Sequence, residues 1–547
     1  MERVVTDILV IGGGVAGCMA ALQASKYGLR VALVDKGRLG LSGSSCTSGG
    51  VSAAPFAHPE MGKEENPDTE EAYYLDTREG GAYVNPPRLV EAMVRESCQV
   101  VLETEEVGVA YSKTPDGRFY MTKALGHRYA RRCIPIGCGA ALMLAMRKEV
   151  LQRWVQPLEH LAVTRLLTVD GQVTGACAVH LQTGAQLLIE ARAIVLAGGG
   201  ATSFFPYASA NFKTTGDAYA LAHQLGLPFA NMEFFEFTII PKAGHTIISS
   251  AGVTPFMGRG SRLYNAANER FMERYDPERL ERTTRARLVQ ALYKEMSEGR
   301  GPVYNDASHF PEDVWEHFEK TEPDVLHKLK SAGVDYRRGR FEWVPAVHTC
   351  LGGIVIDEHG ATGVPGLFAA GECTNGVHGA NRLSCNAFSE GLVFGRRAGK
   401  AAVLFARGQR GPESPKGQVR EEAARLQGLQ GPGEPASTVL KALRETAWQS
   451  VGIVRNGEGI QHGLDRLAEL KKARVEATTP AELVQALELG NLLLTGEMVM
   501  RAAATRTESR GQHYREDCPP GGDEWRRWVL LTPTGEGVTV STVPIPE

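Results

Sequence analysis

The sequence predicts an α/β fold, and three observations support that prediction. Residues 6–11 form an apolar run rich in β-branched residues, which is typical of a buried strand. A glycine-rich turn follows at residues 12–17 and opens an apolar helical stretch. Buried strands that end in glycine return at residues 193–200 and 366–372, far along the chain. Three such turns can converge on one bound ligand.

The first turn has the pattern of a dinucleotide-binding site. Gly12, Gly14 and Gly17 keep a Gly-x-Gly-x-x-Gly spacing between a strand and a helix. Gly12 permits the tight turn, Gly14 lets the backbone approach a pyrophosphate, and Gly17 lets the helix pack closely. A second strand ends at Asp35, 18 residues after Gly17, where an acid accepts hydrogen bonds from a ribose. The first unit is therefore predicted to be a Rossmann-type domain.

Two further segments extend this unit. Residues 41–51 form a polar loop of small residues that suits backbone contacts to a flat ligand. Residues 162–200 alternate like an antiparallel meander. The stretch between the second and third glycine turns then reads as an inserted domain that covers the ligand. We expect the first unit to span residues 1–233 and 347–407, with the inserted domain at residues 234–346.

The last part of the chain is predicted to be helical. Apolar residues recur at helical spacing over residues 438–449, 459–473 and 480–504. The tail, residues 525–544, alternates around a Pro-Thr-Gly turn and is predicted to be a hairpin. We therefore expect a C-terminal helical domain with a terminal hairpin over residues 408–547.

Composition excludes several classes of protein. With 547 residues, 43% hydrophobic and 22% charged, the chain is predicted to be globular with a large core. The net charge of −3 provides no excess of positive charge for binding nucleic acid. No stretch reaches the ~20 apolar residues of a membrane span, and the first strand leaves no room for a signal peptide. The 10 cysteines are scattered without a Cys-x-x-Cys, so we expect reduced thiols in the cytoplasm and no metal site.

Several stretches carry a family resemblance. The late run is His378-Gly379-Ala380-Asn381-Arg382-Leu383, and residues 268–275, 348–353 and 507–515 agree with it in order and spacing. The chain resembles the flavoprotein subunits of fumarate reductase and succinate dehydrogenase, with L-aspartate oxidase and the α-chain of adenylylsulfate reductase among the relatives. The resemblance implies a Rossmann-type FAD-binding domain, an inserted α+β capping domain and a C-terminal helical domain.

The resemblance also implies which residues hold FAD. The glycine turn binds the pyrophosphate, the end of the second strand binds the adenosine ribose, and the polar loop lies along the flavin. The implied set is Gly12, Gly14, Ala16, Gly17, Asp35, Lys36, Ser48, Gly49, Gly50, Asp217, Glu372, Asn386, Ala387 and Phe388. Respiratory members attach FAD through a histidine in the polar loop. Gly43 stands at that position here, so we expect non-covalent FAD.

The substrate site is where the sequence departs from the family. Members exchange a hydride between flavin and a carbon next to a carboxylate, which cationic residues hold. His348 and Arg382 match the catalytic, substrate-binding anchors. Thr238 stands where a substrate-binding histidine is expected. The proton-passing arginine aligns with Met257 without a gap and with Arg259 after a two-residue gap, and we favour Arg259. These changes predict an anionic substrate that is larger or less charged than a C4-dicarboxylate.

The leading hypothesis is a dehydrogenase or reductase flavoprotein subunit that exchanges electrons with an iron–sulfur partner. Three alternatives stay open. They are a stand-alone flavin oxidase like L-aspartate oxidase, a sulfur enzyme like adenylylsulfate reductase, and a non-catalytic electron relay. The anchors His348 and Arg382 argue against a relay, since a relay has no use for them.

Overall fold

The protein is described by a computed structural model over residues 2–49, 52–54, 68–124, 126–211, 213–244, 246–248, 253–411, 414–535 and 537–547. The strands in these ranges are β1 (Glu2–Val5), β2 (Ile8–Ile11), β3 (Val31–Asp35), β4 (Ser52–Ala53), β5 (Met121–Lys123), β6 (Ala130–Cys133), β7 (Gln156–Glu159), β8 (Leu161–Val169), β9 (Gln172–His180), β10 (Gln186–Glu190), β11 (Ala193–Leu196), β12 (Phe229–Ala230), β13 (Phe235–Ala243), β14 (Thr246–Ile247), β15 (Arg262–Tyr264), β16 (Val303–Asp306), β17 (Phe341–Cys350), β18 (Gly353–Ile354), β19 (Leu367–Ala369), β20 (Arg527–Thr534) and β21 (Gly537–Pro544). The α-helices are α1 (Val15–Ser25), α2 (Glu70–Gly80), α3 (Pro87–Glu106), α4 (Cys138–Gln152), α5 (Asp217–Gln224), α6 (Val253–Arg259), α7 (Met272–Tyr275), α8 (Arg285–Ser297), α9 (Glu312–Thr321), α10 (Pro323–Ser331), α11 (Asn386–Arg407), α12 (Lys416–Leu429), α13 (Ala436–Val451), α14 (Gly457–Leu470) and α15 (Pro480–Thr505).

A parallel five-stranded sheet, ordered β19-β11-β2-β3-β7, lies at the centre. Every residue of β2 is buried, because helices cover both faces of a parallel sheet. Helices α1 and α11 pack so closely that a Cβ on Gly395 would lie 2.4 Å from the Ala16 carbonyl oxygen. Strands β19, β11 and β2 are neighbours, so the three glycine turns predicted from the sequence meet at one edge of the sheet.

The predicted meander is confirmed. Strand β8 pairs antiparallel with β9, and β9 pairs antiparallel with β10. Strand β1 then pairs parallel with β10. Asp170 and Gly171 both have positive φ, at 50° and 78°, which a two-residue hairpin of this hand requires. The sheet packs beside the central one and closes one side of the cofactor region.

The inserted region has its own antiparallel sheet, ordered β14-β13-β17-β16-β15, with α6 to α10 around it. The long pair β13 and β17 forms its centre and buries Trp343. This region is α+β, as predicted. The exact domain boundaries stay predictions.

The C-terminal part consists of α12 to α15 and the hairpin β20–β21. The three predicted helices and the predicted hairpin are confirmed. Helix α15 starts where the sequence favours a start, because Thr479 and Glu482 form a capping box and Pro480 follows the cap. Strand β20 also pairs with β12, so the tail completes a four-stranded antiparallel sheet, ordered β18-β12-β20-β21, with strands from either side of the inserted region. None of the described helices has the length and apolarity needed to cross a membrane.

Candidate active site

A single cavity collects most of the residues that the sequence predicts for the cofactor. Gly12 lies at its floor with φ of +109°, and a Cβ there would lie 2.2 Å from the Ala197 carbonyl oxygen. Only glycine fits that position. The predicted residues that line the cavity are Gly12, Gly14, Ala16, Asp35, Lys36, Ser48, Asp217, Glu372, Ala387 and Phe388. Gly17, Gly49 and Asn386 are described but do not line it, and Gly50 lies outside the described residues.

Two of the residues outside the lining support it instead. Gly17 packs against the Gly12 carbonyl, where a Cβ would come within 1.8 Å of the oxygen. The Asn386 side chain accepts a hydrogen bond from the Tyr73 hydroxyl at 2.9 Å, at the start of α11. The first contact supports the glycine turn, and the second fixes the start of α11, which presents Ala387 and Phe388 to the cavity.

Asp35 ties the turn to the polar loop. Its carboxylate accepts hydrogen bonds from the backbone N–H of Gly13 at 2.8 Å and of Gly37 at 2.6 Å, and from the Ser42 hydroxyl at 2.5 Å. A carboxylate has about four acceptor positions, so it can also take a ligand hydroxyl. The acid is therefore well placed for the predicted ribose contact.

Lys36 joins the cavity to the C-terminal part. Its Nζ lies 2.8 Å from Asp217 Oδ2 and 2.7 Å from Glu488 Oε1, and it donates to Thr215 Oγ1 at 2.7 Å. Burial lowers the pKa of Lys36, but the two carboxylates outweigh burial and raise it above its usual value. The lysine therefore stays charged, and it holds Asp217 beside it at the wall of the cavity.

Two buried acids lie together on another wall. Glu372 Oε1 accepts a hydrogen bond from the Cys350 backbone N–H at 3.0 Å, and Glu390 lines the same cavity. Burial raises the pKa of Glu372, and burial followed by repulsion from Glu372 raises the pKa of Glu390 to about 8. Burial and the neighbouring Glu372 therefore favour the protonated form of Glu390 at neutral pH.

The two predicted catalytic anchors meet in this cavity. His348 and Arg382 both line it. His348 is the extra residue of a β-bulge, because Glu236 pairs with Thr349 while Phe237 pairs with Val347. A bulge turns one side chain away from the regular alternation of a strand. Here the turned side chain is the histidine, which the bulge brings to the cavity.

His348 is uncharged and oriented. Its Nδ1 shares a hydrogen bond of 2.6 Å with the Ser209 hydroxyl. Burial lowers the pKa of His348 to about 3, and Arg382 and Arg285 add to that shift against the opposing charge of Glu236. The ring nitrogen that faces away from Ser209 is Nε2, which is left to contact a ligand.

Arg382 shares a buried carboxylate with a second arginine. Its Nε donates to Glu236 Oε2 at 2.7 Å, and Arg285 Nη1 donates to Glu236 Oε1. Burial alone would raise the pKa of Glu236, but Arg382 and Arg285 together lower it to about 2. Sequence reasoning missed Glu236, Arg285 and Ser209. The one available signal was the acid of Phe235-Glu236-Phe237, an ionisable residue inside an apolar strand.

Thr238 and Arg259 lie outside the cavity. Thr238 is buried on β13, two residues beyond Glu236. Arg259 lines a second cavity, where its Nη1 lies 3.1 Å from Glu322 Oε1 and its guanidinium stacks 4.0 Å from the centre of the Phe318 ring. Met257 is buried among apolar side chains. The structure therefore brings His348 and Arg382 together in the cavity. Met257 and Arg259, the two positions that align with the proton-passing arginine, lie outside it.

The run at residues 507–515 connects two segments of the candidate site. Gln512 accepts from the Phe237 backbone N–H at 3.3 Å and donates to Asn381 Oδ1 at 3.1 Å. Just before it, Arg506 is fully buried and donates to Glu233 Oε1 at 2.6 Å. The run thus connects the strand that carries Glu236 to the segment that carries Arg382.

Comparison with known proteins decides the family. The family described as FAD binding domain matches residues 7–388, and the family described as fumarate reductase flavoprotein C-term matches residues 440–545. The protein belongs to the fumarate reductase and succinate dehydrogenase flavoprotein family. This family member is an FAD-dependent oxidoreductase, as the sequence predicts.

Individual relatives agree over almost the whole chain. The family member is 36% identical over 542 residues to a subunit of the fumarate reductase (CoM/CoB) of Methanothermobacter marburgensis, with 96% of each chain covered. It is 32% identical over 556 residues to the L-aspartate oxidase of Streptomyces coelicolor, covering 96% of this chain and 91% of the other. A solved quinol fumarate reductase from E. coli superposes with a TM-score of 0.92 at 28% identity, covering 100% and 98%.

The cavity residues fit FAD. The floor at Gly12 has no room for a side chain, the N-terminus of α1 faces the cavity through Val15 and Ala16, and Asp35 keeps free acceptor positions. A helix N-terminus attracts phosphate through its unpaired N–H groups and its dipole. FAD is therefore the cofactor of this family member. Within the described ranges, no group of histidine, cysteine, aspartate and glutamate is arranged to hold a metal ion.

Proposed function

We propose that the protein transfers a hydride between non-covalent FAD and an anionic substrate that carries a carboxylate. One observation supports this most strongly, namely that His348 and Arg382 line the same cavity as the FAD-binding residues. A carboxylic acid bound by these two side chains would therefore lie next to the FAD-binding residues. Gly43 lines the cavity as well and has no side chain to bond the cofactor, which favours non-covalent binding.

The roles follow from the chemistry of the side chains. Arg382 binds the substrate carboxylate, because a guanidinium fixes a carboxylate in one orientation. His348 donates or accepts through Nε2 as a neutral ring, so it orients a polar group without adding charge. FAD supplies the redox chemistry. Arg382 is buried and His348 is half-buried where it faces the cavity, so both side chains act in surroundings of low dielectric constant, which strengthens these contacts.

Proton delivery needs a cation close to the substrate. Arg259 is the candidate that the sequence favours, but it pairs with Glu322 in the second cavity. Arg285 shares Glu236 with Arg382, which brings it to the substrate end. We assign proton delivery to Arg285 and leave Arg259 as the alternative. Thr238 remains a predicted substrate contact.

Electrons are proposed to pass between FAD and an iron–sulfur partner. The support is the likeness to a protein described as a fumarate reductase subunit. A cytoplasmic location fits the ten cysteines, which are all free thiols. Copurification of an iron–sulfur protein with the full chain would support the partner, and isolation of a fully active lone chain would argue against it.

The test of the proposed reaction is anaerobic. The flavin of the purified holoprotein is reduced by light, carboxylic acids with an activated double bond are added, and flavin absorbance is followed. Reoxidation is expected with at least one acid. Arg382→Met should slow it about a hundredfold with an unchanged flavin spectrum, while Arg337→Met on the surface of the inserted region should have no effect. A flavin that no carboxylic acid reoxidises would contradict the proposal.

A second candidate is a stand-alone oxidase that acts on an amino acid. The likeness to L-aspartate oxidase favours it. Oxygen consumption by the lone chain with L-aspartate would support this candidate. Failure of oxygen to reoxidise the reduced flavin within seconds would leave the partner-dependent reaction.

A further inference from the structure

Glu236 lies between the two arginines of the proposed substrate site and has no part in the roles given so far. Its side chain has no exposed surface, and both of its oxygens are used, one by Arg382 and one by Arg285. A buried carboxylate is costly unless cations pair with it. Glu236 in turn neutralises much of the positive charge that Arg382 and Arg285 would otherwise present to a ligand.

The charges at this end of the cavity can be counted. Arg382 and Arg285 each contribute one positive charge, and Glu236 contributes one negative charge. Burial keeps His348 and His378 neutral, since it lowers the pKa of each to about 3. The group therefore carries one net positive charge, which matches a ligand with one carboxylate.

Buried nitrogen atoms bear on the kind of ligand that fits the cavity. Among the described residues, Arg285 Nε and His378 Nδ1 are buried without a hydrogen-bond partner. His378 also lines the cavity, four residues before Arg382. Buried polar atoms in folded proteins are almost always paired, so the unpaired ring nitrogen of His378 favours a ligand with a polar atom at this wall of the cavity.

Among the described residues, the segment of β13 that directly follows Glu236 carries no side chain suited to a second carboxylate. Thr238 stands where the family resemblance leads us to expect a histidine, and Ile239 and Ile240 follow it on β13. All three are buried. The segment of β13 directly after Glu236 therefore supplies no cation that could hold a second carboxylate.

We propose that Glu236 makes this site selective for substrates that carry one carboxylate, such as a 2-enoate or its saturated acid, over C4-dicarboxylates. This inference rests on the proposed function. Reduction of a 2-enoate adds a hydride to the β carbon and a proton to the α carbon, and reduced FAD provides the hydride and returns to FAD. The substrate carboxylate binds at Arg382 beside Glu236, and a second carboxylate would meet the charge of Glu236.

The experiment compares fumarate with monomethyl fumarate, which has the same carbon skeleton and one carboxylate fewer. The holoprotein is reduced by light under anaerobic conditions, and the rate of flavin reoxidation is measured with each acid and with crotonate. The wild type is expected to react at least tenfold faster with the two monocarboxylates than with fumarate. Glu236→Gln is expected to raise the ratio of the rate with fumarate to the rate with monomethyl fumarate at least tenfold.

Two variants serve as controls. Glu236→Asp keeps the charge and should keep the preference for monocarboxylates, which separates a charge effect from disturbed packing. Glu342→Gln removes a carboxylate from the adjacent strand β17, where it pairs with Lys242, and should leave both rates unchanged. Binding is measured separately, by titrating the oxidised holoprotein with succinate and with monomethyl succinate and following flavin absorbance. If Glu236→Gln does not fold, the wild-type preference in rate and binding still decides.

The outcomes separate the two proposals. Reoxidation by fumarate at the same or a higher rate than by monomethyl fumarate in the wild type overturns the role of Glu236 and leaves the proposed function standing. An unchanged rate ratio in a folded, flavin-loaded Glu236→Gln does the same. Reoxidation by none of the acids overturns both.

Discussion

The Nδ1 atom of His348 lies 2.6 Å from the hydroxyl oxygen of Ser209, and the Ser209 backbone N–H donates to the Val347 carbonyl at 2.8 Å. One residue thus holds both the bulged strand and the ring that the bulge turns into the cavity. The histidine is oriented by a neutral partner, and burial keeps its ring uncharged.

Ser209→Ala should impair catalysis without unfolding the protein. Loss of a buried hydrogen bond costs about 1 kcal/mol and frees the ring to rotate, so we expect kcat to fall about tenfold with little change in KM. Ser331→Ala is the matched control, because Ser331 contacts the His327 ring on an exposed helix. Steady-state kinetics of both variants decide, and equal kcat values for Ser209→Ala and wild type would contradict the orienting role.

Glu390→Gln should change how stability depends on pH. The carboxyl has a pKa of about 8 in the fold against 4.5 unfolded, so between these values the folded state keeps a proton that the unfolded chain releases. Wild-type stability therefore falls as pH rises from about 5 to 8, by about 1.4 kcal/mol per pH unit from this group. Glutamine removes that loss.

Urea unfolding at pH 5.5 and 7.5 measures the effect. The stability advantage of Glu390→Gln over wild type should grow between these two pH values, whereas Glu434→Gln on the surface should show a constant difference. Parallel pH profiles for Glu390→Gln and wild type would mean that Glu390 is ionised in the folded protein.

Arg506→Met should be strongly destabilising. The substitution leaves the buried Glu233 carboxylate without its cation, and breaking such a pair costs about 3 to 5 kcal/mol. The double variant Glu233→Gln with Arg506→Met should be more stable than the single one, because the buried carboxylate that lost Arg506 is replaced by a neutral amide. Arg501→Met, on the exposed side of α15, is the control. Denaturant midpoints rank the three variants, and a single variant as stable as the control would refute the argument.

Lys36→Met should weaken FAD binding. It removes the cation between Asp217 and Glu488, so Asp217 at the cavity wall and Glu488 beside it lose their shared counter-charge. We expect the FAD dissociation constant to rise at least tenfold, which corresponds to about 1.4 kcal/mol. Release of flavin fluorescence on dilution measures it. Lys26→Met, beside Glu103, should retain FAD like the wild type.

Local patterns predicted much of the fold. The turn at Gly12, the meander over residues 162–200 and the helices after residue 436 all follow from spacing within short windows. The glycine turns also located the cavity, because parallel strands place their carboxyl ends at one edge of the sheet.

The substrate end was predicted only in part. His348 and Arg382 lie in recognisable runs, but Glu236 forms its ion pairs with Arg285 and Arg382, which lie 49 and 146 residues away. A single acid in an apolar strand gives no sign of such partners. Arg259 shows the opposite case. A motif aligned with a two-residue gap predicts that it passes the proton, whereas its contacts with Phe318 and Glu322 place its side chain in another cavity.

The pairing of β20 with β12 has a consequence for synthesis on the ribosome. Strand β12 leads within a few residues into the strand that carries Glu236, and its neighbour β20 begins only at Arg527. The Asn231 backbone N–H finds its acceptor, the Val529 carbonyl, in the same late strand. The sheet that holds β12 is therefore complete only after β20 has been made, so the segment leading into the strand of Glu236 reaches its final pairing late in synthesis.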